Sequence, residues 1–328
     1  MPVGVLGVGF HVPEVVIDNA CISEWADTPE DWVARRTGIH ERRYAPAGVA
    51  TSDLAYEAVT DLLSRTPGIE RDIGLVIVAT ATPDQPQPAT AVALQGRLGL
   101  EAAASFDINA VCSGFVYGLT IADALLSTSS AFGTYALVVG ADMFSSVMDR
   151  TDRRTVSLFG DGAGAALLGP VPEGYGISAS RMVAHGSLRS LVEVPAGGTR
   201  KPLTPEARAA GEHLFKMDGR PVAEYALRAL PEVVGATLAD CGLSVDDIDR
   251  FIFHQANVRL LENITSELKL DPDRVPMTAP QYGNTGAASI PITMRDAQSR
   301  RPFQRGERIL LAAVGGGMTA AATVLTWF

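Results

Sequence analysis

The sequence of 328 residues predicts an α/β fold built from two duplicated halves. Three largely apolar runs, residues 72–80, 135–140 and 308–314, are typical of strands buried on both faces of a sheet. Helical patterns separate these runs, as they do in βαβ units. The elements also occur twice in the same order with similar spacing, which favours duplication over a generic α/β protein.

The first half begins with a strand over residues 3–9. Helices are predicted over residues 23–35, with Asp27, Thr28 and Pro29 as a cap, and over residues 53–63, 89–98 and 115–126. The glycine-rich run 159–168 turns into another strand. Residues 169–176 are rich in proline and glycine, and they divide the chain into halves at 1–172 and 173–328.

The second half repeats this plan. A helix over residues 220–238 precedes a strand over residues 247–254, as the helix over residues 53–63 precedes the strand over residues 72–80. A helix at 258–268, a loop with Asn284, the strand at 308–314 and a final run at 320–328 follow. Duplication would therefore place Cys112 and Asn284 at equivalent points, facing each other near a pseudo-twofold axis.

The composition is that of an ordinary globular protein, with 47% hydrophobic and 20% charged residues. A net charge of −10 argues against nucleic acid as a general partner. No apolar run approaches the roughly 20 residues that span a bilayer, and no signal-peptide pattern is present. Three cysteines far apart in sequence suit free thiols, so we expect a cytoplasmic protein without a membrane partner.

Cys112 lies where a short strand-like run ends and an apolar helix begins. Unpaired N–H groups and the helix dipole favour a thiolate at a helix N-terminus, which would make Cys112 a nucleophile. Ser113 and Gly114 are small enough to let a substrate approach the sulfur. The alternative is a buried cysteine that acts only as a small hydrophobic residue.

Two further side chains are candidates for chemistry. His254 directly follows the apolar run 251–253, at the end of a strand, where open α/β sheets bind their ligands. Asn284 lies in a Gly-Asn-Thr-Gly segment, which could equally be a simple turn. No His, Cys, Asp or Glu residues have the spacing of metal ligands, so we expect no metal site.

Five motifs in order carry a family resemblance: Asn109-Ala-Val-Cys-Ser-Gly-Phe115, Phe159-Gly-Asp-Gly-Ala-Gly-Ala165, His254-Gln-Ala-Asn257, Tyr282-Gly-Asn-Thr285 and Gly315-Gly-Gly317. Together they resemble β-ketoacyl-ACP synthase III of the thiolase superfamily, over nearly the whole chain. The resemblance implies a five-layered α-β-α-β-α thiolase fold and a homodimer. It also implies Cys112 as the nucleophile, with His254 and Asn284 as its catalytic partners.

The resemblance further implies an oxyanion hole formed by the backbone N–H groups of Cys112 and Gly316. It places Trp32 and Arg153 on either side of the adenine of coenzyme A, a geometry that suits indole and guanidinium planes. Other residues implied to bind coenzyme A are Thr28, Arg36 and Asn257. Gln87 stands where several members carry a bulky apolar residue that lines the partner's acyl pocket, and Gly286 stands where serine is usual.

We therefore expect an acyl-CoA-primed decarboxylative Claisen condensation with malonyl-ACP or malonyl-CoA, in fatty acid or polyketide initiation, without a cofactor. One alternative is a same-fold acyltransferase that moves an acyl group to an oxygen or nitrogen nucleophile. A second is a non-catalytic partner subunit. The starter acyl group, the carrier of the malonyl unit and the pathway stay open at this stage.

Overall fold

A computed structural model describes residues 1–328, the side chain of Glu30 excepted. The helices are α1 (Asn19–Ala26), α2 (Glu30–Thr37), α3 (Thr51–Leu63), α4 (Thr90–Arg97), α5 (Gly114–Thr128), α6 (Arg153–Val156), α7 (Pro205–Ala209), α8 (Gly219–Asp240), α9 (Val258–Glu267), α10 (Ala279–Tyr282) and α11 (Ser289–Arg300). The strands are β1 (Val3–His11), β2 (Val15–Asp18), β3 (Glu41–Tyr44), β4 (Ile73–Ala79), β5 (Ala104–Ile108), β6 (Tyr135–Met143), β7 (Asp161–Pro170), β8 (Gly176–Ala184), β9 (Val192–Glu193), β10 (Lys216–Met217), β11 (Arg250–Phe253), β12 (Arg308–Gly315) and β13 (Thr319–Thr326).

Two sheets form the body of the molecule. The first has the strand order β1-β7-β6-β4-β5 and the second has the order β8-β13-β12-β11. In both, the first two pairings are antiparallel and the third is parallel. The second sheet therefore repeats four strands of the first, which confirms the predicted α/β fold with two duplicated halves.

Side-chain alternation explains why the sheets are covered on both faces. In β4, Leu75 and Ile77 pack toward the centre of the molecule, whereas Val76 and Val78 pack against the helices α3 and α4. The strand β12 alternates in the same way between the centre and the helices α8 and α9. The helices α5 and α11 fill the centre, so five layers alternate as α-β-α-β-α.

The chain passes from the first sheet to the second between Pro170 and Gly176. The halves are nevertheless interlocked, because α11 of the second half packs on β1 and β7 of the first sheet. The division at 172/173 stays a prediction about folding units.

One stretch of the described chain, Val111–Thr128, is apolar and long enough to pass a composition test for a membrane span. Its residues Phe115, Val116 and Leu119 are fully buried between the two sheets. The stretch is therefore accounted for as a core helix of the fold.

The single helix predicted over residues 23–35 is wrong. The chain instead forms α1 and α2, which are separated at Asp27 by a left-handed residue with φ of +43°. Pro29 then precedes α2, and its ring has no N–H to continue the first helix.

Candidate active site

Cys112 lies in a single 3₁₀ turn, Val111–Ser113, that leads from β5 into α5. Val111 has φ of +47°, which is rare for a β-branched residue, and its N–H donates to Asn109 Oδ1 at 3.2 Å. A strained backbone that turns a cysteine toward a cavity is the kind of feature that clusters at functional sites. Cys112 is itself buried, with 7% of its surface exposed.

Burial in the fold opposes the thiolate expected at Cys112. Burial raises the pKa of the Cys112 thiol well above its ordinary range, and the nearby charge of Asp142 raises it further. A backbone hydrogen bond lowers the pKa but is the smaller effect. Cys112 is therefore a protonated thiol at neutral pH, and it needs a base before it can act as a nucleophile.

His254 follows β11 and is held at both its backbone and its ring. Its N–H donates to the carbonyl of Ala312 at 2.9 Å, and its Nδ1 lies 2.7 Å from Ser289 Oγ. Burial lowers the pKa of His254 to about 3, so the ring is neutral at pH 7. Because the serine hydroxyl can either donate or accept, Nε2 can serve as an acceptor or as a donor.

Asn284 lies in a turn, and a hydrogen bond inside this turn fixes the orientation of its side-chain amide. Its Oδ1 accepts the N–H of Gly286 at 2.9 Å, which leaves Nδ2 as the donor available to a ligand. The backbone of Asn284 pairs with residues beside the glycine-rich motif, through Leu158 O at 2.8 Å and Gly160 N at 3.0 Å. Asn284 is 5% exposed.

The three side chains line one cavity of about 580 Å³. The chain brings Cys112 and Asn284 together because the turns that hold them contact each other at the N-termini of α5 and α11. Gly316 also lines the cavity. A Cβ on its neighbour Gly315 would lie 2.5 Å from Ala110 O and 2.9 Å from Ser113 N, so this glycine lets the loop approach Cys112.

Some of the residues expected to bind coenzyme A line the cavity, and others do not. Trp32, Arg36 and Asn257 line the cavity, together with Arg154 and Arg220. Arg153 stacks over the Trp32 ring, with its guanidinium carbon 5.3 Å from the ring centroid. Thr28 is buried and is not among the described residues that line the cavity. Cationic side chains near an indole suit an anionic nucleotide, and the assignments stay a prediction.

Gln87 does not line the cavity of its own chain among the described residues. It lies in the exposed loop between β4 and α4. That position agrees with a contribution to a partner's pocket rather than to its own, and the role assigned to Gln87 stays a prediction.

Sequence reasoning missed several residues of the site. Ser289, which is bonded to His254, and Asp142, which is close to Cys112, were given no role. Phe144 and Phe159 also line the cavity, and they pack with Phe215 with ring centroids 4.5–5.7 Å apart. Ser289 lies shortly after the motif at residues 282–285, and Asp142 lies shortly after the apolar run 135–140, but their contacts depend on tertiary structure.

A buried cysteine, histidine and asparagine between two duplicated sheets define a condensing enzyme of the thiolase fold. Residues 106–186 match the family 3-oxoacyl-[acyl-carrier-protein] synthase III, and residues 238–327 match the C-terminal part of the same family. The chain therefore belongs to the 3-oxoacyl-[acyl-carrier-protein] synthase III family, and it is an enzyme of the ketosynthase type.

Its relatives agree in both sequence and structure. It is 43% identical to the acetoacetyl CoA synthase NphT7 of a Streptomyces species, over 98% of each chain. It is 39% identical to the β-ketoacyl-[acyl-carrier-protein] synthase III of Symbiobacterium thermophilum, over 99% of this chain and 98% of the relative. The synthase III structure from Thermus thermophilus superposes with a TM-score of 0.91 at 38% identity and covers 99% of each chain.

The chain is also similar in structure to a ketosynthase from a polyketide pathway. The priming β-ketosynthase of a polyketide biosynthetic pathway superposes with a TM-score of 0.90 at 29% identity, and covers 99% of this chain and 96% of that protein. The family resemblance predicted from the motifs is confirmed.

Proposed function

We propose that this enzyme catalyses the decarboxylative Claisen condensation of an acyl group, taken from acyl-CoA, with a malonyl thioester. The convergence of Cys112, His254 and Asn284 on one cavity carries the proposal. A cavity lining that includes Trp32, Arg36 and Arg220 supports a nucleotide-bearing thioester as the substrate. No step of the reaction needs a metal or a cofactor.

In the first step, His254 accepts the proton of the Cys112 thiol, and the sulfur attacks the thioester carbonyl. The raised pKa of Cys112 makes this base necessary, and the neutral ring of His254 makes it available. The N–H groups of Cys112 and Gly316 stabilise the oxyanion. Coenzyme A leaves with the proton from His254, and the acyl group stays on Cys112.

In the second step, His254 Nε2 and Asn284 Nδ2 donate to the thioester carbonyl of the malonyl unit. Cleavage of the carbon–carbon bond releases CO₂, and the two hydrogen bonds stabilise the enolate that forms. The enolate carbon attacks the acyl-cysteine carbonyl. The bond from Cys112 sulfur to the acyl carbon breaks, the sulfur leaves as a thiolate that takes a proton from solvent, and the β-ketoacyl thioester is released.

The experiment separates these two steps. Mass spectrometry after mixing with acyl-CoA is expected to find one acyl group on Cys112, and Cys112→Ser is expected to abolish it. Asn284→Ala should keep the adduct but lower CO₂ release about 100-fold or more, because it removes one donor from the developing charge. His254→Ala should slow both steps, since it removes a base from the first and a donor from the second.

An acyl adduct on the Cys112→Ser protein would refute the assigned nucleophile. An adduct without CO₂ release in the wild type would indicate simple acyl transfer instead. Parallel reactions with malonyl-CoA and malonyl-ACP determine the acceptor. The exposed Arg259 of α9, a candidate contact for an acidic carrier, pairs with Glu262 at 3.0 Å, which reduces its charge toward a carrier.

A further inference from the structure

Asp142 is a fully buried carboxylate near the C-terminal end of β6. It does not line the cavity among the described residues. Its oxygens are nevertheless fully engaged, because both accept hydrogen bonds from segments that lead to the active site. Burying a carboxylate costs free energy because it loses its hydration, and the hydrogen bonds that compensate for this loss hold the carboxylate in one position.

The two oxygens of Asp142 bind two different segments. Oδ1 accepts the N–H of Ala81 at 2.7 Å and the hydroxyls of Thr80 and Thr82 at 3.2 and 3.3 Å. Oδ2 accepts the N–H of Ala287 at 2.8 Å. The first segment follows β4, and the second is the turn that contains Asn284. A single carboxylate therefore joins the end of β4 to the Asn284 turn.

Two glycines allow the Asn284 turn to lie against this carboxylate. Gly286 has φ of +58°, and a Cβ there would lie 2.5 Å from a ring carbon of Phe144 and collide with Asp142 Oδ2. A Cβ on Gly140 would lie 2.6 Å from the carbonyl carbon of Ala287. This geometry gives a physical reason for glycine at position 286, where serine is usual.

One further hydrogen bond connects the segment held by Asp142 to the side chain of Asn284. Gly286 donates its N–H to Asn284 Oδ1, and the next N–H, that of Ala287, is held by Asp142. Fixing this pair of N–H groups fixes the side chain of Asn284. The charge of Asp142 also raises the pKa of the Cys112 thiol.

We propose that Asp142 is a positioning residue, whose carboxylate holds the Asn284 turn so that Asn284 Nδ2 meets the thioester carbonyl during decarboxylation. This inference rests on the proposed condensation. Asp142 touches no substrate and acts only through the two segments that it joins.

The test is Asp142→Asn, which keeps the side-chain volume but places an NH₂ group against N–H and O–H donors. The Asn284 turn should shift, and CO₂ release from the malonyl thioester should fall about 10–100-fold, the usual cost of an unsatisfied buried donor. Acyl capture by Cys112 should not fall, because it does not use Asn284 and the loss of the negative charge makes the thiol easier to deprotonate. Equal losses in both steps, or unchanged CO₂ release, would overturn the proposal.

Iodoacetamide labelling gives a second readout that is independent of the condensation. Removing the negative charge should lower the pKa of Cys112, so labelling of the Cys112 peptide should move to lower pH in Asp142→Asn. A purely structural role would not move this profile in that direction. An unchanged profile would contradict the placement of the charge beside the sulfur. A wild type that captures acyl groups but releases no CO₂ would refute the condensation and leave this readout intact.

Asp61→Asn is the matched control. Asp61 also accepts a backbone N–H, that of Phe10 at 3.0 Å, but it lies on α3 and touches neither turn. The Asp61→Asn variant should leave unchanged both the ratio of CO₂ release to acyl capture and the pH profile of Cys112 labelling. If Asp142→Asn does not fold, Thr82→Val removes one donor to Oδ1 and should give the same selective loss at smaller amplitude. Equal losses in that variant would also overturn the proposal.

Discussion

His254 is a neutral imidazole in the folded chain because burial lowers its pKa from 6.5 to about 3. In the unfolded chain, the same ring takes up a proton below pH 6.5. The folded state therefore loses stability as the pH falls from 6.5 toward 3, since protonation favours the unfolded chain. The burial that keeps the His254 ring neutral thus makes the protein sensitive to acid.

His254→Asn removes this sensitivity. Between pH 7 and pH 5, the free energy of unfolding of the wild type should fall by about 2 kcal/mol more than that of His254→Asn. Urea unfolding at the two pH values measures the difference, and the exposed His185→Asn serves as the control. The raised pKa of Asp142 acts in the opposite direction but is common to both proteins. Parallel pH profiles would mean that folding does not lower the pKa of His254.

The three side chains to which the chemistry is assigned could be selected from the sequence because each lies in a short motif, and the structure brings them to one cavity. The residues that control them could not. Ser289 contacts His254 across 35 positions and Asp142 contacts Ala287 across 145, so no local pattern reports either bond. The expectation of a thiolate considered only the local helix end, whereas the burial of Cys112 by the rest of the fold raises the pKa of its thiol.

The elements followed the sequence where the pattern was strongly apolar, as in β4, β6 and β12. The strand β8 was missed, because it lies at the edge of the second sheet and exposes Arg181, Met182 and Val183. A strand with such a mixed pattern has no clear alternation to read. The matched strand orders of the two sheets extend the predicted duplication, because four strands of each sheet correspond in order and direction.

Two glycines in different elements make a matched pair for the next prediction. Gly140→Ala in β6 should cost about 1–3 kcal/mol of stability, because its Cβ would meet the backbone of Ala287. Condensation should also fall, since the Asn284 turn is displaced. Gly235→Ala in α8 meets nothing within 4 Å and should stabilise the protein by about 0.5–1 kcal/mol. Thermal unfolding and CO₂ release measure both effects, and a neutral Gly140→Ala would contradict the close packing of this turn.

At the scale of the whole molecule, the five layers cover both faces of each sheet but not the edge at β5. This strand ends the first sheet, and its outward backbone groups are available to another strand. The adjacent helix α4 exposes Val92 at 43%, and the loop with Gln87 leads into the same helix. We expect a second copy of the chain to cover this side, which would bring Gln87 toward the partner's cavity.

Light scattering should therefore give a native mass of twice the 34.5 kDa of one chain. Val92→Lys should lower the dimer fraction, because a desolvated ammonium group at the interface is costly. Val16→Lys is the control, since Val16 is 44% exposed but lies in the β2–β3 pair. A native mass of one chain would refute the dimer, whereas a dimer that tolerates Val92→Lys would place the interface elsewhere. Loss of acyl capture together with the dimer would indicate that the partner completes the acyl pocket.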